Sequence, residues 1–176
     1  KDIALWIVER KDNKWGKPVP FDTTVSKGFE YAHAVSKNGN LYFSVRQVID
    51  GKGSWKLCYA TFKDGKYSAP LPLNSSINDG SYVDGPFIAP DESYLIFESD
   101  RNGGIGSIDL YICFKNKQGE WDTPKNMGAK INSTAAERFA GLSPDGKYFF
   151  FGSNRSSELP DIYWISSDVI TELKKT

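Results

Sequence analysis

Runs of apolar residues recur along the chain at an interval of about fifty-three residues. Each run directly follows a turn-forming stretch, and the three turns, at residues 35–39, 88–92 and 142–146, are spaced by 53 and 54 residues. These stretches contain Pro, Asn, Asp and Gly, which favour tight reversals of the chain. A fixed period of this length indicates a repeated supersecondary unit.

Each unit contains four predicted strands. The first apolar run after the turn occupies residues 41–43, 94–97 and 148–151, and the second occupies 57–59, 110–112 and 162–164, with an earlier copy at 5–7. A short strand is expected ahead of each turn, at about 31–35, 85–88 and 139–142. The fourth element is an aromatic residue followed by proline, at 15–18, 67–70 and 121–124, and we expect it at a sheet edge because proline cannot donate to a ladder.

Four antiparallel strands in a unit of about fifty residues predict an all-β fold made of β-propeller blades. The continuous apolar runs are typical of strands buried on both faces, whereas a β-sandwich would show alternation on most strands. We expect blades at about residues 1–22 (partial), 28–75, 80–130 and 135–176. Residues 167–175 have the spacing of a short helix or a final strand.

Composition narrows the functional classes. The chain has 22 basic and 22 acidic residues, so it offers no basic field for nucleic acid or an anionic membrane surface. No apolar run approaches the roughly 18 residues that cross a bilayer.

The chain begins at Lys1 and its only methionine is Met127, which indicates a processed or excised piece. Cys58 and Cys113 lie in equivalent strands but are offset by two residues, so we expect two buried free thiols.

The last two units resemble the TolB-like Pro-Asp-Gly propeller repeat. The resemblance rests on Ser-Pro-Asp-Gly-Lys at 143–147, Ser-Asn-Arg at 153–155 and Asp-Ile-Tyr at 161–163, and on Ala-Pro-Asp at 89–91, Ser-Asp-Arg at 99–101 and Asp-Leu-Tyr at 109–111. With the stretch at 119–128, the chain looks especially like propellers of exported bacterial proteins that carry OmpA-type domains. The first unit departs from the pattern, with Lys-Asn-Gly at 37–39 and Ser-Val-Arg at 44–46.

The resemblance covers about residues 30–166 and implies a periplasmic or extracellular protein whose ring commonly has six blades. The chain supplies a little over three blades, and four is the usual minimum for a closed ring. We therefore expect an absent N-terminal half or a second chain to complete the propeller. A compact four-bladed ring closed by the N-terminal strand pair is the alternative.

Charged and aromatic side chains cluster just before the innermost strand of each unit, near one mouth of the predicted pore. This candidate binding site comprises Glu30, Tyr31, His33, Tyr82, Asp84, Glu137 and Arg138. Glu30 and Glu137 are equivalent in the repeat, and Asp84 falls one position away. His33 is the only histidine, so the sequence offers no histidine cluster for a metal, and a structural or binding-surface role is favoured over catalysis or metal binding.

Two units carry the same arginine and aspartate around the connection that follows the second strand. Arg101 with Asp109 and Arg155 with Asp161 predict a structural clasp, because a bidentate arginine–carboxylate pair would fix the connection and a construction device must recur. Asp100 and the glycine-rich stretch at 103–106 offer oxygen ligands for a cation, although the spacing matches no EF-hand. No other metal and no cofactor is predicted.

Two functions remain open from the sequence. The first is a non-catalytic interaction module that binds a protein or a glycan through the rim or the pore of the propeller. The second is a carbohydrate-active enzyme, a glycoside hydrolase or lyase, with carboxylates at the pore mouth. A hydrolase needs two carboxylates at a defined separation, which the sequence does not establish.

Overall fold

The computed structural model describes residues 5–26, 30–49 and 51–175. In chain order its elements are β1 (Trp6–Ile7), β2 (Arg10–Lys11), β3 (Lys14–Trp15), β4 (Val19–Pro20), β5 (Glu30–Val35), β6 (Leu41–Ile49), β7 (Lys52–Ala60), β8 (Phe62–Lys63), β9 (Lys66–Tyr67), β10 (Leu71–Pro72), β11 (Val83–Ile88), β12 (Tyr94–Ser99), β13 (Asp109–Phe114), β14 (Lys125–Asn126), β15 (Glu137–Leu142), β16 (Tyr148–Ser153), β17 (Asp161–Ser166) and helix α1 (Asp168–Lys175). The predicted all-β class is confirmed. The predicted blade limits at residues 1, 28 and 176 lie outside the described residues.

Three antiparallel sheets follow one another along the chain. Sheet I has the strand order β10-β7-β6-β5, sheet II has β11-β12-β13-β14, and sheet III has β15-β16-β17. Strands β1 and β4 pair ahead of sheet I, while β2–β3 and β8–β9 form two small hairpins. In the N-terminal pair and in sheets I and II, the edge strands β4, β10 and β14 begin directly after the predicted aromatic–proline stretches. The aromatic residues themselves lie just outside those edge strands.

The sheets pack face to face through three apolar clusters. One face of sheet I buries Phe43 and Cys58 against Val25 of the N-terminal segment. The opposite face of sheet I packs against sheet II, and the other face of sheet II packs against sheet III and helix α1. Strands β12 and β13 are therefore buried almost throughout, as their continuous apolar sequences predict. Sheets I and II each bury both faces, which is the arrangement of propeller blades.

Helix α1 resolves the open choice for the end of the chain. Asp168 lies in its first turn and Lys174 and Lys175 in its last, which matches the polarity of the helix dipole. Val169 and Ile170 are buried against sheet II, so the helix is held by packing rather than by propensity.

Both cysteines are free and buried, as predicted. Cys58 lies in the cluster between the N-terminal segment and sheet I, whereas Cys113 lies in the cluster between sheets I and II. Burial raises the pKa of Cys58 to about 11 and that of Cys113 to about 12. Both groups are therefore thiols rather than thiolates at neutral pH.

Candidate functional site

The inner strand of each sheet is its first strand in the chain, β5, β11 or β15. Four polar side chains come together between sheets II and III, where β11 and β15 begin and β12 ends. Tyr82, Asp84, Glu98 and Arg138 form what we call the inner-strand cluster. The Tyr82 hydroxyl oxygen lies 3.0 Å from Oδ2 of Asp84 and 3.2 Å from Oε2 of Glu98, and it accepts a 3.0 Å hydrogen bond from Nη1 of Arg138. The Arg138 guanidinium also lies 5.1 Å from the centre of the Tyr82 ring. Two carboxylates thus share one phenol and one cation.

A bulge in each inner strand produces this geometry. The pairing register shifts after Tyr31 in β5, after Asp84 in β11 and after Arg138 in β15. The residue that follows has a positive φ in all three strands, 27° at Ala32, 56° at Gly85 and 58° at Phe139. The bulge re-aims the neighbouring side chains, as bulges beside functional sites commonly do.

Gly85 leaves the space that Glu98 occupies. A Cβ atom at Gly85 would lie 2.2 Å from Oε1 of Glu98 and 2.5 Å from its carboxyl carbon. That same oxygen accepts a 2.9 Å hydrogen bond from the backbone amide of Phe139 in the next sheet. Glu98 therefore reaches across the junction between the sheets, and only a glycine at position 85 admits it.

Glu98 and Asp84 are almost fully buried, with exposures of 2% and 3%. Burial, together with the charge of Asp84, raises the pKa of Glu98 to about 7, although the Phe139 amide and Arg138 oppose the shift. Burial and the two carboxylate charges raise the pKa of Tyr82 as well. Close to neutral pH, the cluster can therefore hold or release a proton at Glu98.

Glu98 is not among the site residues predicted from the sequence, although the sequence contains a signal for it. In the strand register Glu98 stands opposite Asp84, and Gly152 stands opposite Arg138 at the corresponding place in sheet III. The corresponding residue of sheet I is Ser44, which pairs with Tyr31. A charge that occurs in only one copy of a repeat indicates a local role, in contrast to a charge that recurs.

The structure separates the other predicted pore-mouth residues from this cluster. Glu137 is fully buried and accepts hydrogen bonds from the Ser133 amide and hydroxyl, at 2.8 and 2.6 Å, and from the Ser153 hydroxyl at 2.6 Å. Arg155 lies 3.3 Å from the same carboxylate. Glu137 is thus tied into the frame of sheet III.

The first unit contributes a different surface. Glu30 is buried and accepts a 3.0 Å hydrogen bond from the Ser26 hydroxyl. Tyr31 is half exposed beside Trp55, with ring centres 5.8 Å apart, and His33 is exposed on β5. Of the seven predicted site residues, Tyr82, Asp84 and Arg138 come together, while Glu30, Tyr31, His33 and Glu137 lie elsewhere.

The prediction that each arginine pairs with the aspartate of its own unit is wrong. Arg101 donates to the carbonyl oxygens of Ser76 and Ile77, at 3.0 and 2.7 Å, rather than to Asp109. Arg155 likewise donates to the Ile131 carbonyl and to Glu137, rather than to Asp161. The guanidinium groups turn back toward the preceding loop because each lies over two aromatic rings of its own sheet.

The two aspartates of the predicted clasps have separate environments. Asp109 accepts hydrogen bonds from the backbone amides of Ile105 and Gly106, at 2.5 and 3.0 Å, and from Nδ2 of Asn126 at 2.8 Å. The glycine-rich loop therefore closes over Asp109. Asp161 is exposed at the start of β17.

Asp100, the predicted cation ligand, accepts hydrogen bonds from the backbone amides of Ser81 and Tyr82, at 3.0 and 2.9 Å, and from the Ser81 hydroxyl. Its oxygens thus fix the loop that carries Tyr82. Within residues 5–26, 30–49 and 51–175, no group of three or more His, Cys, Asp or Glu side chains is arranged to hold a metal ion.

The cavity next to the inner-strand cluster is small. It has a volume of about 160 Å³ and lies between Arg138, Gly152 and Glu158. Small-molecule sites usually have volumes of about 300–1,000 Å³. The space beside the cluster is therefore smaller than a usual small-molecule site.

Comparison with known proteins was made at three levels. No family model matches the sequence, and no curated protein matches it. The structure is similar to that of a protein assigned as TolB from Agrobacterium tumefaciens, with a TM-score of 0.56 and 17% identity over 93% of this chain and 57% of the other. It is also similar to an α-L-arabinanase from Penicillium chrysogenum, with a TM-score of 0.55 and 15% identity over 95% of this chain and 56% of the other.

A puromycin hydrolase is a third similar structure, with a TM-score of 0.59 and 15% identity over 96% of this chain and 26% of the other. These likenesses show a β-propeller fold. The chain spans a little over half of the TolB and arabinanase chains and about a quarter of the hydrolase chain. In the part of the chain that the structure describes, no helix has the length and apolar character needed to cross a bilayer.

Proposed function

We propose that this chain is a non-catalytic interaction module that binds a protein or a glycan through the rim or the pore of a propeller. The observation that supports this proposal most is the burial of the carboxylates that lie where the pore mouth is predicted. Asp84, Glu98 and Glu137 are buried and accept hydrogen bonds from neighbouring groups of the protein. The carboxylates of a hydrolase must reach the bond that they cleave.

The proposal includes membership of the Pro-Asp-Gly repeat family and export to the periplasm or the outside of a bacterial cell. It rests on the turn at residues 143–147 and the Ser-Asn-Arg step at 153–155. The TolB-like fold supports the same assignment.

We also propose that further blades complete the ring. The outward face of sheet III carries Tyr148, Phe150, Ile162 and Trp164, and Ile162 and Trp164 are 80% and 64% exposed. The corresponding residues of sheet II include Leu110 and Ile112, which are fully buried because sheet III and helix α1 cover them. Equivalent faces of a repeat call for equivalent partners, so we infer that another blade covers sheet III.

The edge of sheet III supports the same proposal. Strand β13 in sheet II pairs with β12 and with the edge strand β14, whereas β17 pairs with β16 and with no other described strand. A free strand edge presents unpaired backbone groups that favour the addition of another strand. A fourth strand from a further blade would pair with the free edge of β17.

Light scattering on the purified chain tests the ring proposal. We expect a mass above 19.7 kDa, because a second copy can cover the exposed face of sheet III. Trp164→Ser should shift the mass toward the monomer, whereas Val48→Ser, at a residue that is 68% exposed in sheet I, should leave it unchanged. A monomer that unfolds cooperatively would contradict the proposal.

A carbohydrate-active enzyme is the second candidate function. The observation that favours it is the pair of Asp84 and Glu98, because glycoside hydrolysis uses one protonated and one ionised carboxyl group. A Glu98 pKa of about 7 would suit the acid.

Hydrolysis assays separate the two functions. The wild-type chain, Glu98→Gln and Asp84→Asn would be incubated with neutral oligosaccharides, and the products separated by chromatography. The interaction module predicts no turnover by any of the three proteins. Turnover by the wild type that both variants abolish would establish the enzyme and overturn our proposal.

A further inference from the structure

A groove of about 570 Å³ runs along the rim between sheets I and II. Its lining includes Asn40, Tyr42, Tyr59, Glu92, Lys115 and Trp121, and we call it the rim groove. Asn40 lies between β5 and β6, and Glu92 lies between β11 and β12. The rim groove therefore opens at the end of the sheets opposite to the inner-strand cluster, and its volume falls within the usual range for small-molecule sites.

The corresponding space between sheets II and III is filled by apolar side chains and helix α1. Tyr42 and Tyr59 pair across β6 and β7, and the corresponding pair in sheet II is Ile96 and Ile112. Both isoleucines are fully buried in the cluster that contains Val169 and Ile170 of helix α1. At the rim groove, two tyrosines replace the isoleucines, and no helix among the described residues covers them.

Three aromatic rings form the apolar wall of the rim groove. The rings of Tyr42 and Tyr59 lie 6.1 Å apart with an interplanar angle of 24°, and Trp121 meets Tyr42 edge-on at 6.4 Å. Tyr42 is buried, but Tyr59 and Trp121 are partly exposed. Exposed aromatic faces beside hydroxyl groups suit a ligand with both C–H faces and hydroxyls.

Two of the three charged side chains in the lining of the rim groove, Glu92 and Lys115, compensate each other, and the third, Glu120, leaves one net negative charge. Nζ of Lys115 lies 2.7 Å from Oε2 of Glu92 and 4.9 Å from the centre of the Trp121 ring, and Nδ2 of Asn40 donates a 2.6 Å hydrogen bond to Glu92. Burial raises the pKa of Glu92, but the hydrogen bonds from Lys115 and Asn40 and the charge of Lys115 oppose this, and the pKa is lowered overall. An anion would have to displace Glu92 from Lys115 and would also meet the charge of Glu120, and a cation at the Glu92 carboxylate would have to displace Lys115.

From this combination we propose that the rim groove binds a short, uncharged oligosaccharide. The partly exposed rings of Tyr59 and Trp121 contact the C–H faces of the sugar rings, and the neutral Glu92–Lys115 pair exchanges hydrogen bonds with the sugar hydroxyls. This proposal rests on the proposed interaction function and specifies the ligand class and the place on the rim.

Calorimetric titration tests it with four neutral probes, arabinotetraose, xylotetraose, cellotetraose and maltotetraose, and one charged probe, tetragalacturonate. We expect saturable binding of at least one neutral probe and weaker binding of the charged one. Trp121→Ala and Tyr59→Ala should each weaken binding about tenfold or more. Trp15→Ala, at a tryptophan that is 69% exposed in β3, is the matched control and should leave the affinity unchanged.

Tyr59→Phe keeps the ring and removes only the hydroxyl, so it tests the site even if an alanine variant does not fold. No binding of any neutral probe, or binding that Trp121→Ala, Tyr59→Ala and Tyr59→Phe all leave unchanged, would overturn this inference. Either result would still be compatible with a non-catalytic module that binds a protein. Hydrolysis of a bound probe would instead contradict the proposed function while leaving the rim groove as a sugar site.

Discussion

Replacing Gly85 by alanine should destabilise the chain far more than an ordinary glycine substitution. Gly85 has a φ of 56°, and a Cβ atom there would lie 2.2 Å from Oε1 of Glu98. The left-handed conformation costs a residue with a Cβ atom about 1–2 kcal/mol. The clash adds a second and larger cost, because Glu98 must move.

The second cost follows from the hydrogen bonds that Glu98 makes. Its Oε1 atom accepts a 2.9 Å bond from the Phe139 amide, and its Oε2 atom lies 3.2 Å from the Tyr82 hydroxyl. A hydrogen bond that involves a charged group contributes about 1.5–3 kcal/mol. With one such bond lost, Gly85→Ala should lower the free energy of unfolding by about 2.5–5 kcal/mol in total.

Urea unfolding followed by tryptophan fluorescence measures this difference, with Gly119→Ala as the matched control. Gly119 has a φ of 83° and no atom within 4 Å of the position of a Cβ, so its substitution should cost only the conformational 1–2 kcal/mol. In a Glu98→Ala background, Gly85→Ala should cost no more than the control.

Equal losses of stability for Gly85→Ala and Gly119→Ala would refute the reasoning. The same conclusion would follow if Gly85→Ala cost as much in the Glu98→Ala background as in the wild type. Either result would mean that Glu98 does not occupy the space beside Gly85 in solution.

Three further predictions concern the buried titratable groups. The folded state raises the Glu98 pKa to about 7. Glu98 therefore stabilises the folded state below about pH 4.5, and this contribution, at most about 3 kcal/mol, is lost as the pH rises through 7. Urea unfolding at pH 5 and pH 8 should show this loss in the wild type and not in Glu98→Gln. Arg155→Ala should cost about 3–5 kcal/mol and Arg155→Lys clearly less, since alanine leaves Glu137 buried without a cation; equal unfolding midpoints for the two variants would contradict this. Cys58 and Cys113 should react with a thiol reagent at pH 8 only in urea, because both are buried, and a rapid reaction of the folded chain would exclude that placement.

Much of the fold follows from local patterns in the sequence. The apolar runs at residues 94–97 and 110–112 became the buried strands β12 and β13, and the residues after the prolines became edge strands. These features depend on side-chain periodicity and on the missing amide of proline, which act over a few residues. The helix at 168–175 was left open because a short amphipathic stretch is set by its packing.

The candidate site was predicted only in part. Tyr82, Asp84 and Arg138 lie together as expected, but Glu98 was missed, and Arg101 bonds to loop carbonyls instead of Asp109. A side chain as long as arginine reaches several acceptors within one hairpin, so the choice among them depends on the bulges and aromatic rings around it.

The sequence by itself determined an all-β chain of repeated four-strand units, because turn residues, apolar runs and prolines specify local structure directly. Only the tertiary structure decided which charged side chains lie in contact and which surfaces remain exposed to solvent. Glu98 and Arg138, from neighbouring sheets, both contact the Tyr82 hydroxyl, and the rim groove is open because two tyrosines occupy the positions that isoleucines occupy between sheets II and III, where helix α1 covers them. Such contacts join residues far apart in the chain, and their energies depend on burial and distance, which no local pattern encodes.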